Sequence, residues 1–136
     1  MSLETRDPDT EQARRWWFTR VNELSDLDLQ RRTWLDKKNT NPHWSYVEFI
    51  ETYPKDDQLG HALTEGWLAP DEFRILRGLG HVLSTHSPPG GDYYDSAAVL
   101  EDSAWLGVVA AAERAKQQLL AITADPQERK ALMGGG

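Results

Sequence analysis

The stretch from residue 103 to residue 122 constrains the fold more than any other part of the sequence. Its apolar residues recur every three to four positions, as on one face of an α-helix; they are Val108, Ala112, Ala115, Leu119 and Ile122. Ser103 is the predicted N-cap residue, because a hydroxyl there can accept a backbone N–H. A long helix with one apolar face needs other elements to cover it, so we expect the rest of the chain to pack around this helix.

Helix-start signals recur through the rest of the chain, each a capping side chain, an early proline or an acidic first turn. They stand at Pro8, Ser25, Ser45, Asp56, Pro70 and Asp125. No stretch alternates apolar and polar residues over the length of a strand. We therefore predict an all-α, single-domain bundle of about six or seven helices over residues 1–136, with flexible ends at 1–9 and 134–136.

Buried faces are predicted for three of these helices. In the first we expect Ala13, Trp17, Val21 and Leu24 to face the core, with Trp16 about 100° away at a seam or at an exposed position. In the second, one face carries Leu27, Arg31, Trp34 and Leu35. In the helix from Pro70, the buried face consists of Phe73, Leu76, Leu79, Gly80 and Leu83, and Gly78 and Gly80 predict a close approach by another helix or a break.

Composition narrows the cellular setting. The chain has no cysteine, which leaves no disulfide framework and no thiolate zinc site. The longest apolar run, residues 104–112, is too short for a bilayer span, which needs about 20 residues. Residues 1–10 lack the apolar segment of a secretory signal. We expect a soluble cytoplasmic protein that makes no membrane contact.

Charge is distributed unevenly. Residues 41–104 carry 3 basic and 11 acidic side chains, whereas residues 1–40 carry 8 of each. Nucleic-acid binding is not expected, because it requires a basic surface. The acidic middle favours a basic protein partner; the alternative is a solvated surface that only confers solubility.

The segment from Thr85 to Asp95 is the longest irregular stretch, because its two prolines and two glycines interrupt regular structure. We predict that it forms part of a protein-interaction surface through Asp92, Tyr93, Tyr94 and Asp95, since tyrosine is a common contact residue in binding loops. The alternative is that one tyrosine folds back into the core and that the aspartates only cap the next helix. Other predicted interaction residues are Asp56, Asp57 and Trp16.

No catalytic, cofactor or metal motif is evident. His61 and Glu65 are spaced for one helix face, but two ligands do not make a metal site. Gly78 and Gly80 lie outside any phosphate-loop pattern, and the serines lack a nucleophile-elbow context. Paired carboxylates such as Asp56-Asp57 are read as helix caps. We expect no cofactor, no metal and no enzymatic activity.

One block of the sequence resembles a known family. Leu24-Ser25-Asp26, then Gln30-Arg31-Arg32, then Trp34 form an L-S-D, Q-R-R, W pattern. The pattern is similar to the opening of an uncharacterised family of small acidic actinobacterial helical proteins, in which a Pro-His stretch follows, here at residues 41–43. This resemblance implies no catalytic residue. In general style, the acidic, helical, tryptophan-rich chain also resembles immunity proteins of bacterial toxin systems.

Three classes of function follow. The leading hypothesis is a protein-binding module, specifically an immunity protein that neutralises a basic toxin domain. A structural or regulatory homo-oligomer is the second, and an exposed apolar patch repeated about a two-fold axis would favour it. The third is a helical enzyme or small-ligand binder with a tryptophan-lined pocket.

Overall fold

The chain folds as a succession of α-helices. The structure, a computed structural model, describes residues 8–38 and 44–134. Its α-helices are α1 (Pro8–Ser25), α2 (Leu27–Trp34), α3 (Tyr46–Thr52), α4 (Asp56–Thr64), α5 (Pro70–Thr85), α6 (Ser96–Leu100), α7 (Ser103–Ile122) and α8 (Pro126–Leu132). The described residues contain no strand, which confirms the predicted all-α class. Apart from α6, which has only five residues, the helices match the predicted number of six or seven. The predictions for residues 1–7, 39–43 and 135–136 lie outside the described residues.

Helix α7 has the predicted bounds and packs between α1 and α5. Four of the five predicted stripe residues are buried, and Leu119 is fully so. Ile122 is 46% exposed, contrary to the prediction, because it ends the helix and Thr123 already has an extended backbone. The N-cap is Asp102 rather than Ser103: its carboxylate accepts the backbone N–H of Ala104 at 3.1 Å.

The buried face of α1 includes Val21 and Leu24, as predicted, but not the other two predicted residues. Arg14 and Phe18 are buried, whereas Ala13 and Trp17 are only partly buried. An apolar stripe does not indicate the burial of Arg14, because that burial depends on charged partners from other helices. Adjacent helix positions point about 100° apart, so Trp16 and Trp17 cannot both face the core. Trp16 is the more exposed of the two, at 44%.

Arg14 is buried because two carboxylates surround its guanidinium. Its Nε and one terminal nitrogen donate to Glu128 at 2.7 and 2.9 Å, and both terminal nitrogens donate to Glu72 at 2.8 and 2.7 Å. A further bond reaches the Trp67 carbonyl at 2.7 Å. Although desolvation by itself lowers the pKa of Arg14, its bonds to the two glutamates raise it above the ordinary value. This cluster joins α1 to α5 and α8.

The second helix begins one residue later than predicted. Ser25 belongs to α1, where its hydroxyl donates to the Asn22 carbonyl, and Asp26 caps α2 by accepting the N–H of Leu29 at 2.9 Å. Gln30 and Trp34 form the buried face of α2. The remaining members of the predicted face are not buried; they are Leu27, Arg31 and Leu35.

Glycine in α5 has a different role from the one predicted. A Cβ on Gly80 would lie 3.0 Å from the Tyr53 ring, so the close neighbour is an aromatic side chain from the end of α3 rather than another helix. Gly78 would meet nothing within 4 Å. Phe73 is only partly buried, whereas Ile75 is buried.

Truncation of the α7 stripe should destabilise the fold. We expect Leu119→Ala to lower the free energy of unfolding by about 2–5 kcal/mol, because it leaves a cavity at a fully buried position. The matched control Ile122→Ala, on the same helix but half exposed, should cost no more than about 1 kcal/mol. Equal shifts of the two urea midpoints would contradict the assigned core face.

Removal of the Arg14 charge should be at least as harmful. We expect Arg14→Met to cost about 3–5 kcal/mol, because it leaves two buried carboxylates without a counter-charge. Adding Glu72→Gln and Glu128→Gln should recover part of that loss, since the amides remove the unpaired charge. Chemical denaturation measures both effects, and a triple variant less stable than Arg14→Met would refute the electrostatic explanation.

Candidate functional site

The predicted interaction loop is held in a defined shape by its own aspartates. We call residues Asp92–Asp95 the tyrosine loop. Asp92 Oδ1 accepts the N–H of Tyr94 at 2.9 Å, and Asp95 Oδ1 accepts the N–H of Ala98 at 3.0 Å and so caps α6. A 3₁₀ turn, Pro89–Gly91, precedes the loop, and Gly90 and Gly91 have positive φ. Both carboxylates therefore have one oxygen fixed by the backbone.

The two tyrosines of the loop have different environments. Tyr94 is 82% exposed, the largest value among the exposed large hydrophobic side chains of the described residues. Tyr93 is 44% exposed, and its ring centroid lies 5.9 Å from that of buried Tyr46. The sequence left an exposed loop and a core plug as alternatives; Tyr94 points outward and Tyr93 covers Tyr46.

Beneath Tyr93 lies a hydrogen-bonded chain of three side chains. The Tyr46 hydroxyl is 2.9 Å from His86 Nδ1, and His86 Nε2 is 2.9 Å from Asp102 Oδ2. A neutral imidazole satisfies both contacts, accepting from Tyr46 and donating to Asp102. Burial raises the pKa of Tyr46 to about 12, with smaller contributions from Tyr93 and Asp102. The bond to His86 lowers the pKa of Asp102 below its ordinary value.

An aspartate, a histidine and a hydroxyl group hydrogen-bonded in this order also occur in catalytic triads, where they transfer a proton. The Tyr46 side chain, however, has no exposed surface, and Trp105 packs 5.3 Å from the rings of both Tyr46 and His86. A substrate cannot reach the hydroxyl in this arrangement, so the chain's evident role is to fix Tyr46 under the loop. Sequence reasoning missed this cluster because its members are far apart in the chain.

The other predicted interaction residues lie on different elements. Asp56 begins α4, and its Oδ2 is 2.9 Å from His81 Nε2 and 3.6 Å from Arg77 Nε. The bond to His81 is the main reason that the pKa of Asp56 is lowered. Asp57 is exposed, and its Oδ1 accepts the N–H of Gln58. Trp16 lies on α1, so the predicted interaction residues are distributed over α1, α4 and the tyrosine loop.

Trp16 covers a buried arginine. The Arg20 guanidinium carbon lies 4.9 Å from the centroid of the Trp16 ring and 4.6 Å from that of the Phe49 ring, within cation–π distance of both. Its terminal nitrogens donate to Glu23 and Thr52, whereas its Nε has no partner. Burial lowers the pKa of Arg20. The inner face of Trp16 therefore has a structural role, and only its exposed edge is available to a partner.

Two alternative chemistries receive no support from the described residues. The sequence places Arg14 and Arg15 beside the tandem tryptophans, a combination found in base-stacking platforms, but the Arg14 guanidinium is paired with Glu72 and Glu128. The histidine, aspartate and glutamate side chains of residues 8–38 and 44–134 form no group of three or more that could hold a metal ion.

None of the described helices combines the length and apolar character needed to cross a membrane. Comparison of the whole chain with protein-family models, with curated proteins and with solved structures finds no match.

The pKa of Tyr46 leads to a prediction for alkaline solution. The pKa of Tyr46 in the folded protein, about 12, exceeds its ordinary value of 10.0. The contribution of the protonated Tyr46 hydroxyl to the free energy of unfolding is therefore complete below pH 10 and is lost as pH rises toward 12. Near pH 8, Tyr46→Phe should cost about 1–2 kcal/mol, because it leaves His86 Nδ1 without its partner.

This stability difference between wild type and variant should shrink between pH 10 and pH 12. Urea titrations over this range measure it, with exposed Tyr94→Phe as the control. A difference that grows with pH would contradict the assigned environment of Tyr46.

Proposed function

We propose that this protein is a protein-binding module whose tyrosine loop binds a basic protein. The observation that carries the proposal is Tyr94, a large aromatic side chain 82% exposed on a loop of fixed shape. An exposed tyrosine offers a broad, half-polar contact surface with only two side-chain torsions to immobilise on binding. Loops held by a rigid framework are the usual location of binding residues.

The charge around the loop favours a positively charged partner. Between Gly78 and Glu113 the sequence carries five carboxylates and neither lysine nor arginine. Four of the five, counting Glu113, are exposed in the structure, and three of these, Asp92, Asp95 and Glu101, are grouped in and just after the loop. Such a field accelerates encounter with a basic protein and opposes association with an acidic one.

The finer proposal is an immunity protein that acts in the cytoplasm on a basic toxin domain. It is supported by the acidic, helical, tryptophan-rich character of the chain together with the aromatic, acidic loop. A toxin-domain gene beside the gene for this protein would strengthen it, and capture of the partner from a lysate of the source organism would test it. A Tyr94-dependent dimer in sedimentation velocity would instead make a second copy the partner.

Substitution in the loop should separate binding from folding. We expect Tyr94→Ala to weaken partner binding by more than about 1 kcal/mol, as for a residue central to an interface, with little change in the thermal midpoint. Leu35→Ala is the matched control, because Leu35 is also exposed and lies away from the tyrosine loop in sequence, directly after α2. Calorimetric titration of the captured partner measures the effect, and unchanged affinity of Tyr94→Ala would refute the assigned surface.

Electrostatic attraction should appear mainly in the association rate. The double variant Asp92→Asn, Asp95→Asn keeps an oxygen for each backbone bond but removes both charges, so the association rate should fall about two- to fivefold at low salt. The difference from wild type should disappear near 0.5 M salt. The control is Asp28→Asn, Asp36→Asn, which removes two exposed charges from α2 and its end. Equal effects of the two double variants would show that only net charge matters.

A further inference from the structure

A second candidate binding site lies between the end of α3 and the outer face of α5. It is a half-enclosed cavity of about 230 Å³ that shares no lining residue with the tyrosine loop. Its apolar walls are Ile50, Tyr53, Pro54 and Leu83. This volume suits one side chain or a short alkyl group rather than a drug-sized ligand, whose pockets are about 300–1,000 Å³.

The shape of the cavity is fixed by its own walls. The Tyr53 hydroxyl donates to the Leu76 carbonyl at 2.6 Å, which holds the ring against the backbone of α5. Gly80 permits this contact, since a Cβ there would lie 3.0 Å from Tyr53 Cε2. Tyr53 and Pro54 are both buried, so the cavity does not depend on the rearrangement of an exposed loop.

The polar atoms not already engaged at this cavity are mainly acceptors. The Ser84 hydroxyl donates its proton to the His81 carbonyl at 2.9 Å, which leaves its oxygen lone pairs. Asp56 uses Oδ2 for His81 and Arg77, and Oδ1 receives no hydrogen bond from the described residues. The Pro54 carbonyl oxygen, 4.0 Å from the position of a Gly80 Cβ, likewise receives none from them.

The ammonium group of the lysine nearest to the cavity is already hydrogen-bonded to backbone carbonyls. Lys55 Nζ donates to the carbonyls of Ile50 and Glu51, at 3.3 and 3.4 Å, where the last turn of α3 needs donors. Arg77 and His81 contact the opposite oxygen of Asp56 and keep its carboxylate ionised. The residues that line the cavity therefore offer one carboxylate oxygen, one hydroxyl oxygen and one carbonyl oxygen in addition to the apolar walls.

We propose that this cavity binds a primary ammonium group carried on a short apolar stem, and that the source is a lysine side chain of the partner protein. An ammonium has three N–H donors, as many as the acceptors named above. A tetramethylene stem would lie against Tyr53 and Leu83 while the charge approaches Asp56. The choice of lysine as the source rests on the proposed function; the ammonium site itself does not.

Small probes test the site without the partner. Butylammonium, 1-butanol and butyrate have similar alkyl chains and differ in charge, so we expect ¹⁵N NMR shifts of Gly80, His81 and Ser84 to be largest with butylammonium and smallest with butyrate. Asp56→Asn should weaken butylammonium binding roughly threefold, as for a partly exposed ion pair. Asp57→Asn is the matched control, because its carboxylate neighbours Asp56 but does not line the cavity.

Two results would overturn the ammonium site: 1-butanol binding as well as butylammonium, or equal effects of the two asparagine variants. A blocked Gly-Lys-Gly peptide tests the source, and it should shift the same signals while its ε-acetylated form does not. Butylammonium binding without peptide binding would assign the cavity to a small free amine and refute the lysine. Partner binding that depends on Tyr94 but not on Asp56 would remove this cavity from the interface and leave the proposed function standing.

Discussion

The buried guanidinium of Arg14 is the interaction on which the arrangement of the helices depends. Its five hydrogen bonds reach Glu72, Glu128 and the Trp67 carbonyl, so one side chain of α1 holds α5, α8 and the connection after α4. A charge buried among apolar helices is tolerated only when its donors are satisfied. The requirement fixes how α1, α5 and α8 meet, and α7 then covers the apolar faces that α1 and α5 present to it.

A second polar network, at the opposite end of α7, also fixes how several helices meet. Gln30 donates to the Glu23 and Leu24 carbonyls at the end of α1 and accepts from the Trp105 indole. Trp105 in turn packs on the ring of His86, which hydrogen-bonds Tyr46 and Asp102. The tyrosine loop therefore packs, through Tyr93, on Tyr46, which this hydrogen-bonded network holds in place. This support helps a short irregular segment to present Tyr94 to the solvent.

The two proposed binding sites would select for positive charge in different ways. The tyrosine loop combines an exposed aromatic ring with carboxylates that are oriented by backbone N–H groups. The cavity beside Asp56 combines an apolar floor with acceptors left over after the internal hydrogen bonds are formed. An acidic middle segment can thus be more than a solubilising surface, because the fold turns some of its carboxylates into directed acceptors while others, such as Glu72, are buried as structural partners.

The sequence by itself determined the helices, because spacing, caps and breakers act within a few residues of one another: α7 has the predicted bounds, and Pro70 and Asp125 begin helices as expected. It also located the exposed loop, since prolines and glycines exclude regular structure locally. Tertiary structure alone decided which polar residues are buried. Arg14 reads as a surface residue until Glu72 and Glu128, far away in the chain, surround it, and Tyr46, His86 and Asp102 share no local spacing. The sequence likewise predicts that Gly80 allows another helix to approach, whereas the fold shows that the ring of Tyr53 occupies the space beside it.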